Sequence, residues 1–299
     1  MSIQKAHNGD IELAYEVHGP PEGIPLLLTG AGAGAQMAMW PPKLVATLVD
    51  RGFQVAMMDL RDSGLSTHLT QYDGVTRRRG ELAYTLRDMT DDAIAVLDAL
   101  GWQQAVMVGV SQSGIIAQAI ACEHPDRVSA LVSWMSQPTA SLWLARPRIG
   151  RALRMIKVMR GTSPDRDAEG QKWVELFRLF ATKQYPADDD HWREAGRVAF
   201  DRGIYPQGLV RQFAATRAAG DRRGALAQLR IPTLVLHGAR DRLVSPKAGR
   251  ATADAIPGAR FMLLPNVDHQ VPPLLWPMAA DAIRELVAGR GTSPANTSR

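Results

Sequence analysis

The 299-residue chain has a single cysteine, Cys122. That scarcity excludes a disulfide framework and any cysteine-built zinc cluster, and makes a reducing, cytoplasmic compartment the default expectation. Long apolar runs are missing too. No stretch reaches the roughly 18–20 uninterrupted apolar residues of a membrane-spanning helix, and Met1 to Asp10 lacks the apolar core of a secretion signal. Neither export nor a membrane span is expected. Lysine is scarce, with 6 residues beside 29 arginines, and the formal net charge is only +5. The excess is local: residues 140–230 hold 18 basic against 10 acidic side chains. A basic excess confined to one segment is no footprint of nucleic-acid binding, so no such partner is expected.

Apolar material is plentiful, at 45% hydrophobic residues, and the length suits one large domain carrying an insertion. From residue 11 to 135, short apolar runs alternate with amphipathic stretches, as in strands and helices wound into a mostly parallel sheet. Strands are predicted at 11–17, 24–28, 53–58, 105–110 and 128–134, with helices near 43–50, 82–100 and 115–124. After Gln137-Pro138 the β-like runs vanish for about 85 residues rich in arginine and tryptophan. The rhythm returns with strands at 233–236 and 260–264 and helices at 246–255 and 274–288. The expected division is 1–137 and 230–289 as a doubly wound α/β core, 138–229 as a helical cap inserted between the sixth and seventh strands, and 290–299 as a frayed tail.

The stretch Val106-Met107-Val108-Gly109-Val110-Ser111-Gln112-Ser113-Gly114 runs from an apolar strand through a serine into a helix, the setting of a nucleophile elbow. Such a turn crowds the residues two before and two after the serine, so both must be small. Gly109 and Ser113 meet that demand for Ser111; for Ser113, the β-branched Ile115 would not. The alternative is a serine that merely ends a buried strand.

A serine nucleophile needs a histidine base and an acid to orient it, in the chain order Ser, acid, His for this type of sheet. Of the later histidines, His191 lies among Asp188, Asp189 and Asp190, and His237 precedes the best acid. His269, in a loop just past a strand, remains. Asp241 follows the strand at 233–236 and is the candidate acid, against the alternative of pairing with Arg240 or Arg242. Asp268 adjoins His269, and neighbouring side chains in an extended loop point apart. The backbone N–H groups of Gln112 and Ala31 are the candidate oxyanion donors. Gly32, Met37, Trp134 and Trp143 are candidate walls of a substrate pocket, with packing as the alternative role for the tryptophans. The expected chemistry needs neither metal nor organic cofactor.

With these residues in place the sequence resembles the α/β-hydrolase superfamily from about Ile11 to Ala288. The resemblance rests on Thr29-Gly30-Ala31, Asp59 to Ser66, the Ser111 elbow, Gly238-Ala239-Arg240-Asp241 and Asp268-His269. The family commonly has His-Gly at Thr29-Gly30, Arg-Gly at Arg61-Asp62, and glycine at Ser113. The Asp59 to Ser66 stretch and Tyr84 to Met89 look like the group containing anthracycline (aclacinomycin-type) methylesterases. That resemblance implies a Ser111, Asp241, His269 esterase acting on a small-molecule ester or lactone through an acyl-enzyme. Thioesterase, C–C hydrolase, peptidase and haloperoxidase chemistry, or ligand binding without catalysis, are its alternatives within the fold.

Two further readings compete. Gly30-x-Gly32-x-x-Ala35, with Asp59 ending the next strand, imitates a dinucleotide fingerprint, although Trp40-Pro41-Pro42 delays the helix that should start inside the glycine run. In the cap, Ile149, Leu153 and Ile156 share one helical face and arginines lie largely elsewhere. This is either a solvated lid or a basic surface that attracts anions. Oligomeric state is not legible in the sequence.

Overall fold

The computed structural model describes residues 2–72, 76–78, 81–139, 144, 149–160 and 163–289. Its strands are β1 (Gln4–Asn8), β2 (Ile11–His18), β3 (Ile24–Leu28), β4 (Phe53–Met58), β5 (Thr76–Arg78), β6 (Glu81–Leu82), β7 (Ala105–Val110), β8 (Val128–Trp134), β9 (Thr233–Gly238) and β10 (Arg260–Leu264). β5 and β6 form a separate ribbon; the other eight pair in the order β1-β2-β4-β3-β7-β8-β9-β10. Only β2 runs antiparallel to its neighbours, and every other pairing in the large sheet is parallel. Parallel strands are covered on both faces and so read as unbroken apolar runs. β7, with sequence AVMVGV, is buried throughout.

The helices are α1 (Pro42–Asp50), α2 (Leu86–Ala99), α3 (Gln112–Glu123), α4 (Ile149–Arg160), α5 (Arg166–Arg178), α6 (Asp189–Arg202), α7 (Pro206–Ala218), α8 (Arg223–Leu226), α9 (Pro246–Ala255) and α10 (Trp276–Ala288). Met89, Val96 and Leu97 of α2 join Ile116 and Ile120 of α3 in one buried cluster. Leu44 and Leu48 of α1 join Trp276 and Ile283 of α10 in another. At about 1.5–3 kcal/mol for each fully buried aliphatic side chain, these two layers dominate stability. No described helix is long and apolar enough to cross a membrane.

Two helices start away from their predicted positions. The 82–100 helix begins at Leu86, because Thr85 caps it: its hydroxyl accepts the Asp88 N–H at 3.2 Å while the Asp88 carboxylate accepts the Thr85 N–H at 2.7 Å. The helix predicted from Ile115 begins at Gln112, directly after the Ser111 turn.

The dinucleotide reading fails on two observations. α1 starts at Pro42, well beyond the glycine run. Asp59, which would have to face a ribose, is fully buried and committed to the protein: its carboxylate accepts the Met37 N–H at 2.6 Å and the Leu65 N–H at 2.9 Å. Burial pushes its pKa up to about 6, against the pull of those two amides. Gly64 packs so closely that a Cβ there would lie 2.1 Å from the carboxylate. Asp59 therefore ties the loop after β3 to the turn after β4.

Helices α4 to α8 fall between β8 and β9, the sixth and seventh strands of the large sheet. The arginines of α5 and α6 are ion-paired: Arg166 with Asp201, Arg178 with Asp189, Arg193 with Asp190, Arg197 with Asp167, and Arg202 with Glu16. Trp173 and Trp192 stack with Phe177 and serve as packing. This layer is held to the sheet by a buried pair, Arg211 of α7 with Asp62, at 2.8 and 2.9 Å. Gln212 extends the contact by donating to the Arg61 carbonyl at 2.9 Å.

Candidate active site

β7 delivers the chain to Ser111, which turns with φ +56° and ψ −119° straight into α3. A positive φ at a non-glycine residue costs on the order of 1–3 kcal/mol and persists only where surroundings over-determine it. They do here: the Ser111 N–H donates to the Trp134 carbonyl at 2.9 Å, and its own carbonyl accepts the Ser136 hydroxyl at 2.7 Å. A Cβ on Gly109 would lie 2.2 Å from the Ser113 carbonyl oxygen. The crowding expected at an elbow is thus present. Ser113, where the family has glycine, fits with its hydroxyl turned to the loop after β3, accepting the Gly32 N–H at 3.3 Å. Thr29 anchors the same loop by directing its hydroxyl at the Val108 and Ser113 carbonyls, both at 3.2 Å.

Asp241 and His269 follow β9 and β10 and come together at the carboxyl edge of the sheet, beside Ser111. His269 Nε2 lies 3.0 Å from Ser111 Oγ, and His269 Nδ1 lies 2.7 Å from Asp241 Oδ2. The other oxygen of Asp241 accepts the N–H groups of Leu243 and Val244 at 2.9 and 2.8 Å, which fixes the carboxylate plane. Burial opposes the charge on Asp241. His269 and His237 outweigh it and hold the group well below the usual carboxylate range. Among the described residues no arginine pairs with Asp241: Arg242 points toward Asp268 at 3.9 Å.

His237, set aside as a base, proves to be a second partner of the acid. Its Nε2 lies 3.3 Å from Asp241 Oδ2 and 2.9 Å from the Val244 carbonyl, and the ring is wholly buried. Room for it exists because residue 249 is glycine, where a Cβ would sit 2.2 Å from Nδ1. Phe180, just past α5, sets its ring against the imidazole of His269 with centroids 5.4 Å apart. Neither neighbour was legible, since one was judged only as a rival base and the other lies in a segment without β/α rhythm.

Among the described residues the N–H groups of Ala31 and Gln112 donate to no protein acceptor. Gln112 also sits at the first position of a twelve-residue helix, where the backbone dipole is positive. Its side chain reaches the other way, to Thr216 of α7 at 3.4 Å.

The candidate pocket residues fall in different surroundings. A cavity of about 70 Å³ opens between the loop after β3 and helices α4 to α7, lined by Gly34, Met159, Trp173, Leu176, Tyr205 and Leu209 among others. Its walls include neither Gly32, Met37 and Trp134 nor Ser111, Asp241 and His269, so it is a space apart from the serine. Met37 and Trp134 are buried in the core instead, and Gly32 has its N–H committed to Ser113. Trp143 lies outside the described residues.

A family model for the alpha/beta hydrolase fold matches residues 24–272. The chain belongs to this hydrolase family. Among its relatives is rhodomycin D methylesterase DauP of Streptomyces sp. (strain C5), 28% identical over 91% of this chain and 93% of its own. RutD of Variovorax paradoxus (strain S110), provisionally named a carbamate hydrolase, is 29% identical over 86% of this hydrolase and 89% of its own chain. A solved structure with the same fold, the meta-cleavage product hydrolase CumD of Pseudomonas fluorescens IP01, superposes with a TM-score of 0.74 at 19% identity, covering 96% and 98% of the two chains.

Proposed function

We propose that the protein is a serine hydrolase that cleaves a carboxylic ester of a small apolar molecule. The observation that carries this reading is the unbroken hydrogen-bonded series from Ser111 Oγ through both ring nitrogens of His269 to Asp241, at 3.0 and 2.7 Å. Ionised Asp241 keeps the proton of His269 on Nδ1, which leaves Nε2 free to accept the Ser111 proton as Oγ attacks the ester carbonyl. The oxyanion forms against the N–H groups of Gln112 and Ala31. His269 then protonates the leaving alcohol, and the same base draws a proton from water to release the acid and regenerate Ser111.

A methyl ester is the substrate class favoured by the similarity to DauP, over nearly the full length of both chains. The likeness to RutD supports a second reading, carbamate cleavage by the same serine. Parallel assays on methyl esters and on simple carbamates separate the two.

The direct test is labelling with a fluorophosphonate, wild type beside Ser111→Ala and His269→Ala, with the modified peptide read by mass spectrometry. The expected adduct is on Ser111, absent from Ser111→Ala and strongly reduced in His269→Ala. A folded wild-type protein that never labels at Ser111 overturns the reading. Because the arginines of α5 and α6 are mostly paired, kcat/KM on an anionic ester is expected to be nearly flat with ionic strength. Electrostatic steering would instead give a fall of roughly tenfold or more.

A further inference from the structure

Asp268 precedes His269 and is almost completely buried, at 1% exposure. One carboxylate oxygen accepts two backbone N–H groups, from Arg242 at 3.0 Å and from His269 itself at 2.9 Å. The other accepts from the Arg151 guanidinium at 3.0 Å. Arg151 comes from α4, more than a hundred residues away in the chain, and its guanidinium also donates to the Leu179 carbonyl. That carbonyl immediately precedes Phe180, whose ring packs on the imidazole. A side chain from the segment between β8 and β9 thus supplies the close counter-charge for a buried carboxylate whose own chain carries His269.

We propose that Arg151 and Asp268 are positioning residues for His269: Arg151 neutralises the Asp268 carboxylate and so sets the charge environment in which the imidazole takes up the Ser111 proton. The proposal rests on the serine-hydrolase reading above. Among the described residues, few charged or titratable groups lie around His269. Asp241 and His237 face it from β9 and the turn after it, Asp268 lies on its own loop, Arg242 approaches from the β9 side, and Arg151 comes from α4. Phe180 closes the remaining side with an apolar ring. Asp241 already fixes the imidazole orientation. A second, unneutralised carboxylate beside it would overstabilise the imidazolium, and the protonated ring cannot accept from Ser111.

The consequence has a sign that a merely structural role would not produce. In Arg151→Ala the Asp268 charge is uncompensated, so the imidazolium persists to higher pH and the acid limb of the reaction moves up. In Asp268→Asn a negative charge is removed while Arg151 remains, so the acid limb moves down. Each shift is expected to be about half a pH unit or more. Arg151→Lys, which keeps the charge, should leave the limb close to wild type.

The readout is the second-order rate of fluorophosphonate labelling at Ser111 across pH 4 to 9, which needs no knowledge of the substrate, with circular dichroism to show that each variant is folded. Opposite displacements for Arg151→Ala and Asp268→Asn, with Arg151→Lys near wild type, are the expected result. Coincident profiles for all folded variants, or displacements of the same sign, overturn the proposal and leave the serine-hydrolase reading standing. A wild type that does not label at all overturns both. Should Arg151→Ala fail to fold, the comparison of Asp268→Asn with Arg151→Lys still decides, because only the first removes a charge.

Discussion

Asp241→Asn is expected to lower kcat on an activated ester by roughly 10⁴-fold while the protein stays folded. The geometry fixes which way the amide must turn. The N–H groups of Leu243 and Val244 converge on one oxygen at 2.9 and 2.8 Å, so the amide oxygen must stay there and the NH₂ group must take the place of Oδ2. At that place it meets His269 Nδ1, 2.7 Å away. A donor facing Nδ1 forces the imidazole proton onto Nε2, which then points a hydrogen at Ser111 Oγ instead of a lone pair. The base is lost without any loss of packing.

The pH dependence follows from the same site. Asp241 is held well below the usual carboxylate range by His269 and His237, despite its burial. A group with a depressed folded pKa contributes stability above its unfolded value, near 4, and loses that contribution only as pH falls through the folded value. Asp241 is therefore expected to stay ionised across the assay range, so an acid limb in the rate is not expected to come from this carboxylate. Rates measured from pH 5 to 9 check both points. An Asp241→Asn enzyme within tenfold of wild type across that range would remove Asp241 from the mechanism.

Much of this site was legible in the sequence, for identifiable reasons. Parallel strands buried on both faces are written as apolar runs, so β3, β4, β7 and β8 fall where the runs predict, and the half-exposed edge strand β10 does so too. The elbow was legible because its steric demand is local: Gly109 and Ser113 lie within two residues of Ser111. Asp241 and His269 were legible because chain order and the carboxyl ends of strands restrict the choice. Contacts made across the chain were hidden. Arg211 is one arginine among many in a segment without periodic signal, and nothing local ties it to Asp62, 149 residues earlier. Arg151 and Asp268 are likewise 117 residues apart. The departures from the family pattern were the available clue. Asp62 stands where the family has glycine and keeps the positive φ, +65°, that glycine tolerates. Its carboxylate then serves a partner that no glycine could hold. Ser113 similarly replaces glycine and gains the Gly32 contact.

Arg211→Ala is the second large effect, expected to cost about 3–5 kcal/mol of stability, because it strands a buried charge. The Asp62 side chain is fully buried and that of Arg211 is 3% exposed, so removal of the guanidinium leaves the carboxylate without its counter-charge. The Leu69 N–H at 2.7 Å would remain as a partner, too little for a carboxylate. Burial opposes the charge of Asp62, but the Arg211 hydrogen bonds, the Leu69 amide and the Arg211 charge together hold its pKa below the usual range. The pair's contribution is thus present above about pH 4 and fades as pH falls through the lowered folded value. Urea unfolding of Arg211→Ala at pH 7 should show the full loss, and the gap from wild type should narrow in acid. Asp62→Gly alone strands the guanidinium instead and should also destabilise, even though glycine suits φ +65°. Removing both charges, as Asp62→Gly with Arg211→Leu, should recover most of the loss, since an apolar replacement of a buried pair is often close to neutral. A strongly favourable coupling in that cycle would show that Asp62 contributes through Arg211 rather than through the turn it occupies. If Arg211→Ala instead costs under about 1 kcal/mol, the pair behaves like an exposed one, and α7 must be held in place by its apolar contacts and by the Gln212 and Thr216 hydrogen bonds.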